Sequence, residues 1–307
     1  MKKRIKNMLV FTWNKVIDYK ISITNNIYIL FDKIKKIIYS KPKVLSIDET
    51  LDFIIKNKCS VNRFGDGELK LMMGQRIFFQ SHSQDLENRL RESLKNREEN
   101  LITCIPDIFE DLSVYAEEPY NYWKLHIAKT RSKWYRLIDK NKIYGNAFIS
   151  RCYYGFKDKK NCKRWFDKIK KIWNGRDIVI IEGKKSRLGI GNDLFKDARS
   201  IERILCPEKD AFNKYEEILN AAKRSSKEKL ILLAIGPTAT VLSYDLYKEG
   251  YQVIDIGHID IEYEWFLMGA TKKEKINNKF IGEAIGGDKV TECNDNDYLS
   301  QIIAVIG

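Results

Sequence analysis

The stretch Leu230-Ile231-Leu232-Leu233-Ala234-Ile235, followed by Gly236-Pro237-Thr238-Ala239-Thr240, is the clearest indication of the fold. An uninterrupted apolar run of this length is typical of a strand buried on both faces of a parallel sheet. The glycine allows a tight turn, and proline suits the first turn of a helix. A second run, Ile178-Val179-Ile180-Ile181, has the same character. The sequence therefore predicts parallel strands connected by helices.

Strands and helices alternate regularly from residue 143 onward. We predict strands at 143–149, 177–182, 201–206, 230–235 and 251–256. Helices are expected between them at 163–173, at 211–222 and at 239–249. After the strand at 177–182 we expect a loop and then a helix that ends at Ala198. Upstream we expect strands at 59–64 and 101–105, and helices at 46–55, from Leu69, at 85–94 and within 107–140, with a break near Pro119. The pattern indicates an α/β fold, a Rossmann-like and mostly parallel sheet flanked by helices.

Charge divides the chain into segments. Residues 1–43 carry eleven basic and two acidic side chains, a net charge of +9 out of +13 for the chain. We therefore predict a basic, amphipathic helical arm over 1–43, the α/β domain over 44–286 and a polar tail over 287–307, which ends in an apolar edge strand. Because the domain is close to neutral, nucleic acid is not an expected partner.

The arm is apolar as well as basic. Its apolar residues recur at helical spacing with lysines between them, but no run reaches the ~18–20 residues of a spanning helix. We also find no signal peptide, and the six cysteines form no CxxC pair, so a cytoplasmic location is expected. The arm either lies on the inner face of the plasma membrane, or packs on its own domain or on a second subunit.

The turn Arg63-Phe64-Gly65-Asp66-Gly67-Glu68 follows a predicted strand. Two carboxylates, Asp66 and Glu68, stand two positions apart where ligands usually bind. Such oxygens suit a divalent cation that keeps positions open for phosphate. The alternative is a helix N-terminus, where acidic residues offset the helix dipole.

Two further glycine-containing segments follow strands. In Glu182-Gly183-Lys184-Lys185-Ser186-Arg187-Leu188-Gly189-Ile190-Gly191-Asn192-Asp193, the glycines would let backbone amides approach a ligand and Arg187 could bind a phosphate. Either Asn192 or Asp193 could cap the next helix. In the second segment, Thr238 either caps a helix or contacts the ligand, and an ordinary strand-to-helix turn is an equal alternative.

The fourth segment is Asp255-Ile256-Gly257-His258-Ile259-Asp260-Ile261-Glu262-Tyr263-Glu264-Trp265. A helix that starts near Asp260 places Asp260 and Glu264 on one face and turns Glu262 away. Acidic residues this close to one another require a metal, a catalytic base or water. Together the segments predict a site for a divalent cation and an anionic ligand with a spare carboxylate, which fits a nucleotide diphosphate-sugar.

This ordered set of motifs, together with Ser150-Arg151, resembles the GT-D-type glycosyltransferases over residues 46–285. The resemblance implies a bacterial, metal-dependent transferase with a Rossmann-like fold. It implies a UDP-sugar donor, typically UDP-glucose, and a Mn²⁺ or Mg²⁺ cofactor. The acceptor would be a glycan on a surface glycoprotein, or equally a lipid-linked surface polysaccharide.

The resemblance also assigns roles to residues. Asp66 and Glu68 would bind the metal, Glu264 would be the catalytic carboxylate, and His258 and Asp260 would lie beside the reaction centre. The expected donor-binding residues are Arg63, Gly65, Ser150, Arg151, Glu182, Ser186, Arg187, Gly189, Gly191, Asn192, Asp193, Gly236 and Thr238. Two other functions remain open: hydrolysis of a nucleotide-sugar, and a non-catalytic, membrane-associated scaffold that binds glycans.

Overall fold

The fold is that of a computed structural model, which describes residues 2–307, with side chains from Tyr19 onward. Nine strands in this range form one sheet in which every pairing is parallel. The strands are β1 Lys43–Val44, β2 Ser60–Arg63, β3 Leu101–Ile105, β4 Ile143–Asn146, β5 Asp177–Gly183, β6 Ser200–Cys206, β7 Leu230–Ala234, β8 Gln252–Asp255 and β9 Ile302–Val305. Their order across the sheet is β1-β4-β3-β2-β8-β7-β5-β6-β9.

Helices cover both faces of this sheet, as the alternating pattern predicts. They are α1 Lys2–Ile38, α2 Ile47–Asn57, α3 Asp66–Met72, α4 Gln84–Lys95, α5 Glu117–Leu137, α6 Cys162–Lys171, α7 Tyr215–Ala222, α8 Pro237–Lys248, α9 Ile259–Met268 and α10 Asn296–Ser300. Short 3-10 turns occupy Ala147–Ser150 and Ala211–Lys214. The predicted α/β fold class is confirmed.

Local sequence signals account for several boundaries. Ser46 caps α2 and Glu49 bonds back to the Ser46 amide, which completes a capping box. The 107–140 region holds one long helix, α5, instead of a broken pair. Pro119 lies in the first turn of α5, where a missing amide hydrogen removes no intrahelical bond.

The expected helix before Ala198 is absent, and residues 184–199 form turns instead. Arg187, Gly189 and Gly191 have φ angles of 52°, 78° and 79°. A right-handed helix cannot pass through left-handed residues at this spacing. Similarly, the strand expected over 143–149 ends at Asn146, whose side chain accepts a hydrogen bond from the Phe148 amide.

Helix α1 and strand β9 both contact the α/β domain. Strand β9 pairs with β6 at the edge of the sheet, so the segment 287–307 ends within the same sheet as the rest of the domain. Helix α1 packs against α5. Within residues 2–307, no helix is both long enough and apolar enough to cross a membrane.

The topology brings the two halves of the chain together at the centre of the sheet. Strand β2, from the first half, lies next to β8, from the second. Because all strands are parallel, the carboxyl ends of β2, β8, β7 and β5 meet at one edge. In open α/β sheets, ligands bind beyond this edge, where the strand order reverses.

Candidate active site

A cavity of about 720 Å³ opens at this edge of the sheet. Its wall is formed by the turns that follow each strand from β2 to β8, by residues 77–80, by the first turns of α5 and by residues between 273 and 283. The volume is in the range of sites that hold a nucleotide-sized ligand. The four sequence segments predicted to carry chemistry all contribute residues to it.

Arg63 and Asp255 form the base of the cavity where the two halves meet. Arg63 Nη2 lies 2.7 Å from Asp255 Oδ1, and Arg63 Nε donates to the Asp255 carbonyl at 2.8 Å. Burial raises the pKa of Asp255, although the Arg63 guanidinium opposes that shift. Gly257 permits the approach, since a Cβ there would lie 1.9 Å from Arg63 Nη2.

Asp66 and Glu68 both line the cavity, and both also take part in helix-end contacts. Asp66 Oδ2 accepts hydrogen bonds from Lys70 at 2.7 Å and from the Tyr122 hydroxyl. Burial acts to raise the pKa of Asp66, but these two partners hold it below its ordinary value. Glu68 Oε2 accepts from the Gly65 amide at 2.6 Å, so the carboxylate caps α3. Burial raises the pKa of Glu68 to about 7.

The carboxylate pair fits a cation that takes most of its ligands from elsewhere. The contacts above use Oδ2 of Asp66 and Oε2 of Glu68, which leaves Oδ1 and Oε1 for a ligand. Within the described part of the chain, no group of three His, Cys, Asp or Glu side chains could enclose a metal. Mg²⁺ and similar ions are often held by one or two carboxylates together with water and substrate phosphates. The residues therefore fit a metal that binds together with a phosphorylated ligand.

His258, Arg151 and Glu283 form a polar cluster on the cavity wall. Arg151 makes a two-pronged ion pair with Glu283, at 2.5 and 3.2 Å. His258 Nε2 lies 3.5 Å from Glu283 Oε1 and has no hydrogen-bond partner among the residues described. Burial, together with the nearby positive charge of Arg151, lowers the pKa of His258 to about 4. The imidazole is therefore neutral near pH 7.

Asp260 and Glu264 lie on one face of α9, as predicted, and share two partners. Lys279 Nζ lies 2.7 Å from a carboxylate oxygen of each, and Asn192 Nδ2 lies 2.8 Å from Asp260 Oδ1 and 2.7 Å from Glu264 Oε1. The Gly189 amide also donates to Asp260 Oδ1 at 2.8 Å. Asp260 lines the cavity, whereas Glu264 lies outside its wall.

Glu262 points in a different direction from these two residues. Its Oε2 accepts hydrogen bonds from the Tyr153 and Tyr154 amides, both at 2.8 Å, and the residue lines the cavity. Burial raises its pKa. The carboxylate fixes the turn that follows Arg151.

Several predicted donor-binding residues lie outside the cavity wall, because other groups hold them. Glu182 is buried against Arg203 at 2.5 Å, and Arg187 donates to the carbonyls of Asn278 and Thr291 at 3.0 and 2.6 Å. Asp193 contacts Lys170 and Tyr263. The other residues outside the wall are Ser150, Gly189, Gly191, Asn192 and Thr238. The predicted residues that line the wall are Arg63, Gly65, Asp66, Glu68, Arg151, Ser186, Gly236, His258 and Asp260.

The structure adds residues that the sequence did not single out. Glu283 and Lys279 come from a segment without helical or strand periodicity, so no local signal marked them. Phe79 lies against Gly236, where an added Cβ would be 2.8 Å from the Phe79 ring. Tyr122 belongs to a group of aromatic residues within 107–140, some of which line the cavity while others are buried in the core. Tyr115, Tyr122 and Trp123 line the cavity, whereas Trp134 is fully buried.

The sequence that forms this sheet and its cavity also matches a known protein family. A family model described as the glycosyltransferase GT-D fold matches residues 61–284. The chain therefore belongs to the family of glycosyltransferases with the GT-D fold. This agrees with the resemblance of its motifs.

Individual relatives are similar over most of this chain. A probable glycosyl transferase of Streptococcus gordonii is 41% identical over 286 residues, which is 91% of this chain and 42% of the relative. A glycosyltransferase of Streptococcus pneumoniae serotype 4 is 42% identical over 265 residues, 86% of this chain and 32% of the relative. The chain thus spans less than half the length of these curated relatives.

Solved structures agree with the fold in detail. A domain of unknown function 1792, described as highly conserved and as having a distinct glycosyltransferase fold, has a TM-score of 0.83 at 42% identity, over 87% of this chain and 96% of that one. A structure described as a new glycosyltransferase from Streptococcus sanguinis has the same TM-score of 0.83 and the same identity of 42%. The match covers 87% of this chain and 100% of that one.

Proposed function

We propose that this protein is a metal-dependent glycosyltransferase that transfers a hexose, most simply glucose, from a UDP-sugar to a glycan acceptor. The acceptor would be carried by a surface glycoprotein or a lipid-linked polysaccharide. The observation that carries this proposal is the shared cavity. Two carboxylates with available oxygens, Asp66 and Glu68, face the same space as the guanidinium of Arg151 and the ammonium of Lys273.

Asp66 Oδ1 and Glu68 Oε1 would hold a Mn²⁺ or Mg²⁺ ion together with the diphosphate of the donor. When bound, such an ion neutralises negative charge that develops on the leaving diphosphate. Lys70 and Tyr122 hold the Asp66 carboxylate in place through its other oxygen. The carboxylate is therefore oriented before a ligand arrives, which lowers the ordering cost of binding.

Arg151 lines the same cavity and would contact the diphosphate. Glu283 engages Nη1 and Nη2 and fixes the orientation of the guanidinium, whose remaining N–H groups would donate to phosphate oxygens. Gly236 and Ser186 lie at the ends of neighbouring strands, where the small residues leave room for the donor. Phe79 supplies an aromatic surface beside Gly236 for the nucleoside.

The acceptor hydroxyl must lose a proton during transfer. We propose His258 as the group that accepts it, since this residue lines the cavity and its imidazole is neutral near pH 7. Glu283, at 3.5 Å, would stabilise the imidazolium as it forms. Glu264 is the alternative predicted from the sequence, and it would reach the cavity only if the Lys279 ammonium, 2.7 Å from its Oε1, moved aside.

The first experiment is a thermal-shift panel with UDP, GDP, dTDP and CMP, each with and without manganese. A ligand that binds the native state raises the melting temperature according to its affinity and concentration. We expect a manganese-dependent rise with UDP that is lost in Asp66→Asn. The control is Asp158→Asn, which alters an exposed carboxylate and should behave as the wild type.

An equal UDP response with and without manganese would contradict the metal site. A response of the Asp66→Asn variant equal to that of the wild type would contradict the assignment of Asp66. Incubation with a UDP-hexose and candidate glycan acceptors then separates transfer from hydrolysis, because hydrolysis releases the sugar free and transfer links it to the acceptor.

A further inference from the structure

Helix α1 exposes an apolar face along its described length. Ile23, Ile27, Leu30, Phe31, Ile34 and Ile37 have between 44% and 86% of their surface exposed. At 100° per residue these six positions fall within an arc of roughly 120° around the helix axis. We refer to these six residues as the apolar arc. A continuous stripe of this width normally packs against another apolar surface.

The body of the protein does not cover the apolar arc, because α1 packs on α5 through its opposite side. Asp32 and Arg131 form a buried, two-pronged ion pair at 2.6 and 2.9 Å. Tyr39 stacks on Tyr135 with the ring centroids 4.5 Å apart. Asp32 and Tyr39 lie roughly 160° around the helix from the centre of the arc. The usual amphipathic arrangement is thus reversed, with the polar side toward the protein.

The charges around the arc identify what would cover it. Residues 1–43 carry a net charge of +9. Residues 19–43 contain a single acidic residue, Asp32, and its charge is neutralised by Arg131. A second copy of α1 would bring a segment of the same sign and offer no carboxylates to the lysines. An anionic phospholipid surface accepts apolar side chains and attracts lysines at the same time.

We propose that the apolar arc of α1 rests in the interfacial region of an anionic phospholipid bilayer, with the exposed Lys20 and Lys33, which lie on or beside the arc, at the headgroups, and so holds the protein at a membrane surface. Helix α5 connects this contact to the cavity, since Tyr122 lines the cavity and Arg131 binds α1. Nine residues separate them, which is roughly 14 Å along a helix. The surface contact does not depend on the proposed transferase activity.

The test is co-sedimentation of the full chain with vesicles of phosphatidylcholine alone or mixed with phosphatidylglycerol. We expect binding to the mixed vesicles, weaker by about tenfold or more when the salt is raised to high concentration. Ile34→Glu should lower the partition coefficient by about tenfold or more. Its matched control is Ile21→Glu: both isoleucines are 52% exposed on the same helix, but Ile21 lies outside the arc.

Equal loss in the two variants would overturn the proposal, and so would equal binding to the vesicles without anionic lipid. Sedimentation of the protein without vesicles tests the other possible occupant of the arc, a second copy of the chain. If the wild type and Ile21→Glu dimerise while Ile34→Glu stays monomeric, the arc is an interface between copies and the proposal is wrong. The measured quantity is partition, so the result is independent of any activity assay.

Discussion

Arg63 and Asp255 lie 192 residues apart in sequence, and their side chains meet at 2.7 Å across the adjacent strands β2 and β8. This ion pair joins the two halves of the chain at the base of the cavity. Arg63 also donates to the Asp255 carbonyl, and Thr240 on α8 donates to the carbonyl of Arg63 at 2.8 Å. The pair therefore fixes the starting point of the turn that carries Asp66 and Glu68.

Gly257→Ala should disrupt this pair. Gly257 has a φ of 44°, and its Cβ would lie 1.9 Å from Arg63 Nη2. The left-handed backbone costs about 1–2 kcal/mol, and displacement of Arg63 from buried Asp255 about 3 kcal/mol more. We expect urea denaturation to give a lower free energy of unfolding for this variant than for the wild type, together with weaker binding of UDP and manganese.

Gly269→Ala separates the two causes. Gly269 also has a positive φ, 62°, but an added Cβ meets nothing within 4 Å. This variant should lose only about 1–2 kcal/mol and keep its nucleotide affinity. Similar losses in both variants would show that the Arg63 contact contributes little.

Glu182→Gln should reduce stability without reducing nucleotide affinity. Glu182 and Arg203 are both buried, and Glu182 Oε2 also accepts the Leu188 amide at 2.7 Å. Removing one charge of a buried pair costs about 3–5 kcal/mol, because the other charge is left without a partner. Urea denaturation measures the first effect and calorimetry with UDP measures the second.

Glu202→Gln is the control for this prediction. Glu202 precedes Arg203 on β6, and its carboxylate pairs with Lys229 where it is 32% exposed. A partly exposed pair of this kind contributes less than about 1 kcal/mol. If Glu182→Gln weakened UDP binding while its stability matched that of the control, Glu182 would be a donor contact, as the sequence suggested.

His258 should make stability depend on pH between about 6.5 and 4. Burial and the nearby positive charges of Arg151, Arg63 and Lys273 lower its pKa to about 4, with Glu283 opposing the shift. The unfolded chain therefore binds the proton first as the pH falls, so the folded state loses stability across this range. His258→Asn should lose less stability than the wild type over the same range.

Urea denaturation at a series of pH values measures that difference. Lys157→Asn, an exposed change next to Asp158, serves as the control and should follow the wild type. Parallel curves for the wild type and His258→Asn would mean that the imidazole titrates at its ordinary value.

The proton acceptor can be assigned from variant kinetics, provided that transfer is established. If His258 is the base, His258→Asn should lower kcat by about 10²–10⁴-fold with little change in KM for the donor. Glu264→Gln should then act through Lys279 and lower kcat far less. The opposite ranking, with a large loss in Glu264→Gln and a small one in His258→Asn, would assign the base to Glu264.

The sequence by itself determined the fold class and most elements of the second half of the chain. Runs such as Ile178–Ile181 and 230–235 must be buried, and their shortness, their isoleucine and valine content and the glycines that follow them favour strands over helices. Ser46 and Glu49 likewise fixed the start of α2, since a capping box is a local interaction. Local signals of this kind need no knowledge of distant residues.

Tertiary structure decided which charged groups meet. Glu182, Arg187 and Asp193 stand in a motif that suggests ligand binding, but Arg203, the carbonyls of 278 and 291, and Lys170 hold them elsewhere. Glu283 and Lys279 reach the site from a segment without periodicity. Glu283 is positioned by its contact with Arg151, which lies 132 residues earlier in the sequence. Lys279 is positioned by its contact with Asp260, 19 residues earlier.

The orientation of α1 on the domain could not be predicted from the sequence either. Its apolar spacing predicts an amphipathic helix, but that pattern leaves open whether the apolar face meets a membrane surface, the domain or a second subunit. The buried pair of Asp32 and Arg131 turns the polar side inward and leaves the apolar arc exposed. Periodicity records which residues share a face, whereas the partner of that face is set by side chains that only folding brings into contact.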